Sequence, residues 1–309
     1  MGLLDLAKGA VGGAASVAGR SVGAANDVRR MVFTTVTEGF DMPPDGSGLD
    51  ERDPDYIRRT LPGMAHLLRA YFRYDVRGLE NIPSKGPVLI VGNHSGGTLI
   101  VDTVILSVAF YEHFGPDRIY HQLAHDLAAN LPGLGGILRR YGTIPAAHDN
   151  AQRAFDKGAA VLVYPGGDYE TYRPSWEANE VDFGGRSGFI DLALEAGVPI
   201  VPLVSIGGQE TALFLTRGER LAKVSGFSRL TRIKVLPVQI APPFGVTVMD
   251  LPARIPLPAK ITIQAMAPID LRERFGADPD TDEVYDTVVG EMQEVLTELA
   301  DERTAPVVG

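Results

Sequence analysis

From Tyr74 onward, short apolar runs alternate with longer segments of helical periodicity, and this alternation restricts the fold more than any other feature. Pro87-Val88-Leu89-Ile90-Val91 is a strand with no polar side, which only a sheet covered on both faces accommodates. It ends at Gly92-Asn93-His94. A helix follows over 101–111, then strands over 118–123 and 142–145, a helix over 150–158 and a strand over 160–164. Pro165-Gly166-Gly167 closes that strand. A helix over 189–196, capped by Gly197, leads to a strand over 200–206, and 261–265 is a late strand. Val284, Val288, Met292, Val295 and Leu299 mark the apolar stripe of a final, acidic-faced helix. The expected class is α/β: a mostly parallel sheet flanked by helices, with an N-terminal helical appendage.

That appendage is expected over 1–55. Residues 9–25 are mostly Gly, Ala, Ser and Val, too small to make a core, and Met42-Pro43-Pro44-Asp45-Gly46-Ser47-Gly48 reads as a linker. One α/β domain is expected over 56–309, with a motif-bearing core at 74–270 and the acidic helix at 279–303. Tyr56, Ile57, Leu61, Met64, Leu67, Leu68, Tyr71 and Phe72 recur near helical spacing with four arginines interleaved, and Pro62 is expected to break or start the helix there. Such a helix suits either a membrane interface or docking on its own domain.

Charge narrows the partners. The net charge of −10 argues against general nucleic-acid binding, but its distribution is uneven. Residues 270–303 hold twelve acidic and three basic side chains. Over 213–239, Arg217, Arg220, Lys223, Arg229, Arg232 and Lys234 face only Glu219, a stretch fit for anionic headgroups or for a solvated loop. The absence of cysteine removes thiolate nucleophiles and Cys-based zinc sites and agrees with a cytosolic setting. The longest apolar stretch, 98–111, contains Asp102 and falls short of a bilayer span, so membrane contact is expected from one side. Neither a myristoylation signal nor a secretory signal is expected at the start.

Two loops carry chemistry, and both follow strands, where open α/β sheets build their sites. In the first, His94 precedes Ser95, Gly96 and Gly97 and lies eight positions before Asp102. An imidazole suits proton abstraction from an alcohol, and a carboxylate fixes its tautomer. On one helix, eight residues would rotate the two side chains about 80° apart, so the Gly96-Gly97 turn has to fold the histidine back. The second loop is Tyr164-Pro165-Gly166-Gly167-Asp168-Tyr169-Glu170, whose glycines allow close backbone approach to a ligand. Arg173 and Arg186 nearby are candidates to hold a phosphate. Read singly, each loop is equally a core histidine or a tight turn.

Together they resemble the glycerolipid acyltransferase superfamily over 74–270. His94 and Asp102 resemble its first motif, Gly142-Thr143-Ile144-Pro145-Ala146-Ala147-His148 its second, Tyr164-Pro165-Gly166-Gly167 with Glu170 its third, and Val198-Pro199-Ile200-Val201-Pro202 its fourth. Seven residues separate His94 from Asp102 where the family has four. His148 stands where many members carry a phosphate-contacting Arg, and Pro-Gly-Gly replaces Pro-Glu-Gly, closer to the diacylglycerol-acyltransferase-like branch. The resemblance implies transfer of a fatty acyl group from acyl-CoA or acyl carrier protein to a lipid hydroxyl, with His94 as base and Asp102 as its support. It implies no metal and no cofactor beyond that co-substrate, an acyl thioester and a lipid acceptor as partners, and attachment to the cytoplasmic face of a membrane. Ser95, Gly96, Gly97, His148, Pro165, Gly166, Gly167, Glu170, Arg173 and Arg186 are the expected substrate-binding set. A serine hydrolase would need a G-x-S-x-G elbow, which Gly185-Arg186-Ser187-Gly188-Phe189 does not match. A lipid-binding scaffold without turnover is the other alternative.

Overall fold

The apolar run after Pro87 forms strand β2 (Val88–Gly92), whose five residues are all buried, at the middle of a seven-stranded sheet. The computed structural model describes residues 48–125, 135–225, 234–248 and 254–305, together with residues 23, 26, 27 and 307. Residues 9–25 and the proline-rich stretch at 42–47 thus lie almost wholly outside the described residues. The other strands of the sheet are β1 (Asp75–Arg77), β3 (Tyr120–Ala124), β4 (Thr143–Pro145), β5 (Ala160–Val163), β6 (Ile200–Ile206) and β10 (Thr262–Ala265). Their order is β1-β10-β6-β2-β5-β3-β4. β6, β2, β5, β3 and β4 are mutually parallel, as expected from the alternation. β10 and its parallel neighbour β1 run the other way, because β10 pairs antiparallel with β6.

Helices cover both faces. α1 (Pro54–Phe72) and α2 (Val101–Phe114) pack on the face carrying Val88, Ile90, Ala160, Leu162 and Val201. α3 (His148–Asp156), a short α4 (Gly167–Thr171), α5 (Gly188–Ala196) and α6 (Thr281–Asp301) follow, and α3, α5 and α6 pack on the face carrying Leu89, Val91, Val161 and Ile200. Each fully buried Val, Leu or Ile contributes about 1.5–3 kcal/mol, so the double cover is the main source of stability. The β2–β3 connection, through α2, and the β5–β6 connection, through α5, lie on opposite faces, which opens a crevice beyond the carboxyl ends of β2 and β5.

Four details depart from the sequence reading. Pro62 neither starts nor ends a helix but sits inside α1, where residues on both sides of it, from Tyr56 and Ile57 to Leu68 and Phe72, bury one continuous face. The helix starts at Pro54, capped by Asp53, whose carboxylate accepts from the amides of Asp55 and Tyr56 at 2.9 Å each. The domain begins before residue 56, since Leu49 is buried in the core and Glu51 pairs with Arg139 at 2.5 Å. On α6 the buried stripe runs through Leu296, with Val295 only partly covered. The segment 97–114 has the length and apolarity of a membrane span, yet ten residues of α2 are buried in the core.

A second, three-stranded antiparallel sheet consists of β7 (Leu213–Thr216), β8 (Val238–Ala241) and β9 (Gly245–Val248), and β7 and β8 lie in sequence on either side of the basic residues at 217–234.

Candidate active site

His94 follows β2 by two residues and is 8 % exposed. Positive φ at Gly96 (+92°), Gly97 (+69°) and Ile100 (+41°) wraps the chain through a 3-10 turn at Gly97–Leu99 before α2 begins. Asp102, in the first turn of α2 and wholly buried, is thereby brought to 3.1 Å from His94 Nδ1. The seven intervening residues do not separate the pair because the turn, not helix pitch, sets the distance. Ile100 is β-branched and left-handed, a strained conformation that the surrounding contacts have to hold.

Asp102 is the hub of this turn. Oδ2 also accepts from the Ser95 amide at 2.9 Å, and Oδ1 accepts from the Thr103 amide at 2.7 Å. A carboxylate only accepts, so the Nδ1–H of His94 donates to it, and in the neutral tautomer this leaves Nε2 as the ring's acceptor. The Tyr164 ring stacks on the imidazole with centroids 4.2 Å apart and planes 13° apart. Burial raises the Tyr164 phenol well above its ordinary range, so it stays protonated beside the histidine.

The loop after β5 braces this arrangement from behind. Glu170 is fully buried and accepts from the His94 amide at 2.8 Å and the Asp182 amide at 3.1 Å. Burial pushes its carboxyl up to about 7, against the pull of Arg173 and the two amides. Arg173, also fully buried, donates to the carbonyls of His94 (2.6 Å), Glu170 (3.1 Å), Glu177 (3.0 Å) and Ala178 (3.0 Å). A guanidinium so engaged does not reach a phosphate. The geometry therefore replaces the expected substrate contacts of Glu170 and Arg173 with a positioning role. Gly166 serves the same packing, since a Cβ there would lie 2.4 Å from Glu170 Oε2 and 2.8 Å from the Asp182 carbonyl.

The remaining expected residues divide. Arg186, partly exposed, donates to the carbonyls of Pro165 (3.2 Å) and Gly166 (2.8 Å) and pairs with Asp168, which clasps the Pro165-Gly166-Gly167 turn at the rim of the crevice. The Gly96 amide donates to Gln209 Oε1 at 3.1 Å and the Gly167 amide to the Tyr164 carbonyl at 3.1 Å, so both are already engaged. Ser95 Oγ is directed to Asp102 at 3.5 Å rather than toward the imidazole. His148 does not join the site. Although it follows the carboxyl end of β4, its side chain pairs with Glu195 at 2.8 Å, in the last turn of α5, and is half exposed. Among the described residues no cluster of His, Cys, Asp and Glu suits a metal ion.

The family model described as Acyltransferase matches residues 73–206. A protein of Mycobacterium tuberculosis is 31 % identical over 263 residues, covering 84 % of this chain and 70 % of its own length. The chain belongs to the acyltransferase family. A bovine DGAT1/2-independent enzyme synthesizing storage lipids is 29 % identical over 130 residues, 42 % of this chain and 37 % of that enzyme. The fold is that of the 1-acyl-sn-glycerophosphate acyltransferase PlsC of Thermotoga maritima, with a TM-score of 0.52 at 16 % identity, covering 93 % of this chain and 99 % of that one.

Within this acyltransferase-family fold, two bracing residues escape a reading of the sequence. Gln209, after β6, accepts from Gly96 and donates to the Arg173 carbonyl. Arg254 donates to the carbonyls of Gly96 and Thr211, the latter at 2.8 Å. Only Gly207-Gly208 at the end of β6 hints that a third loop reaches the site.

Proposed function

We propose that the chain transfers a fatty acyl group from an acyl thioester to the hydroxyl of a lipid at a membrane surface, with His94 as general base. The observation that carries this reading is the 3.1 Å contact between His94 Nδ1 and the buried Asp102. Nε2 takes the proton of the acceptor hydroxyl, and Asp102 supports the imidazolium that forms. The acceptor oxygen attacks the thioester carbonyl, the carbon–sulfur bond breaks, and the thiolate leaves as a thiol with the proton returned by His94. The first amide of the 3-10 turn, Gly97 N–H, has no acceptor within that turn and is the donor assigned to the developing oxyanion. One helical turn along α2 from Asp102, Met64, Val104, Val108, Ile137, Leu138 and Tyr141 line an apolar cavity of about 130 Å³, room for part of an acyl chain. Relatives that carry lipid-synthesis names support a lipid acceptor; the thioester donor we propose is acyl-CoA or acyl carrier protein.

Hydrolysis through Ser95 is disfavoured by the direction of its hydroxyl. The test is transfer of radiolabelled palmitoyl-CoA to a panel of lysophospholipid, acylglycerol and glycolipid acceptors by wild type and His94→Ala. The expected result is an acceptor-dependent product that falls about 10²–10⁴-fold in the variant at unchanged circular dichroism. Near-wild-type transfer by His94→Ala removes the histidine from the mechanism, and free fatty acid without acceptor dependence favours a hydrolase.

A further inference from the structure

The three-stranded sheet turns its apolar side outward. Leu213 pairs with Ile240 and Ile240 with Val246, while Val238 pairs with Val248, so these five side chains share one face. Leu213, Ile240, Val246 and Val248 are exposed, Val246 by 66 %. The inner face instead buries Gln239 and Thr247 along with Phe214 and Ala241. An antiparallel sheet with one wet face ordinarily shows the reverse pattern, polar outward. The outer face carries no charged residue, and Phe244, 56 % exposed, extends it at the β8–β9 turn.

Cations rim it. Helix Glu219–Val224 presents exposed Arg220 and Lys223 beside Leu221 and the 88 % exposed Val224, and Lys234 is exposed before β8. Arg217 is not part of this rim, because Glu177 (2.8 Å) and Asp182 (3.1 Å) hold it. Arg229 and Arg232 lie outside the described residues. Against the one exposed acid of that helix, Glu219, these three exposed cations on a chain of net charge −10 favour a negatively charged partner.

The sheet is also fixed to the catalytic loops. Arg217 donates to the Tyr169 carbonyl at 3.0 Å, the Phe214 amide donates to Ser175 Oγ at 2.9 Å, and Arg254, beyond β9, holds the Gly96 carbonyl. Ser175 is followed by Trp176, the sole tryptophan of the chain, which is 70 % exposed.

We propose that the outer face of β7–β9, with Phe244 and helix Glu219–Val224, docks on an anionic phospholipid bilayer and holds the crevice at the lipid surface. The choice of a bilayer over a protein rests on the reading that the substrates are lipids. The apolar row enters the headgroup boundary while Arg220, Lys223 and Lys234 meet lipid phosphates.

The experiment is flotation of the full chain with vesicles of equal parts phosphatidylglycerol and phosphatidylcholine, and with phosphatidylcholine alone. Wild type is compared with Ile240→Asp/Val246→Asp and with Arg220→Glu/Lys223→Glu, each checked by circular dichroism and thermal unfolding. Binding to the anionic vesicles is expected in the wild type, with a blue shift of Trp176 emission, and is expected to weaken about tenfold or more in either variant. Absence of wild-type binding, or equal binding by the folded variants, overturns the proposal. So does an oligomer that Ile240→Asp/Val246→Asp dissolves without any vesicle binding, which assigns the face to a protein partner. No acyl transfer is measured, so the docking surface stands or falls apart from the assigned chemistry.

Discussion

Replacing Arg173 by lysine separates two roles that an arginine near a lipid acyltransfer site can have. A phosphate ligand lost at this position raises KM and leaves the fold alone. The structure requires the opposite. The guanidinium satisfies four carbonyls on two segments and faces the buried carboxylate of Glu170 at 4.0 Å. A lysine ammonium is a point donor, and from one position it does not span His94 O, Glu170 O, Glu177 O and Ala178 O. Leaving at least two of these buried carbonyls without a donor, at about 1–3 kcal/mol each, costs about 3–5 kcal/mol. For a domain of this size that lowers Tm by roughly 6–20 °C. Because His94 O is one of the four acceptors, the turn carrying the proposed base loosens as well, and kcat is expected to fall while KM for the acceptor changes little. Differential scanning calorimetry on Arg173→Lys, with kcat and KM measured well below its Tm, checks both halves. An unchanged Tm with a raised KM refutes the bracing role and returns Arg173 to the substrate.

Gly166→Ala places a Cβ against Glu170 and the Asp182 backbone, and is expected to cost about 1–3 kcal/mol in urea unfolding, with activity lowered through the same brace. The Glu170 carboxyl, raised to about 7 from its ordinary 4.5, favours the protonated form in the fold. Its contribution is present in full below the unfolded value and is lost as pH rises through the folded one. Wild-type stability therefore declines from pH 4.5 to 7 by at most about 3 kcal/mol, and urea midpoints across that range show no such decline in Glu170→Gln. His148→Ala removes only an exposed pair with Glu195, so thermal unfolding and acyl-transfer rate are both expected to match wild type within error.

The sequence made the scaffold readable where burial is symmetrical. β2 is apolar on both faces and α2 is largely apolar, so both admit one interpretation, and the glycines at 96 and 97 announced that the chain must double back between them. Pro62 misled because local propensity argues for a break that the shared buried face of α1 overrides. The small sheet was hidden by its inverted alternation: Gln239 inside and Ile240 outside do not read as a strand docked on a core. The braces were hidden for another reason. Arg173, Gln209 and Arg254 act on backbone groups 79, 113 and 158 positions away, and a carbonyl or an amide leaves no signature in the side-chain string. The four family-like motifs led to the crevice, but the division of labour among their residues became visible only with the hydrogen bonds.

The turn from Gly96 to Ile100 also bears on how such proteins are counted. Inventories built on a fixed number of letters between histidine and aspartate measure contour length along the chain, whereas a hydrogen bond between the two side chains is set by a distance across a gap. Where a loop closes that gap, its length is free to drift while the contact is kept, as the 3.1 Å between His94 and Asp102 shows. A pattern written for the shorter loop would pass over this chain, and the more faithful descriptor is a buried carboxylate at a helix start facing an imidazole at a strand end.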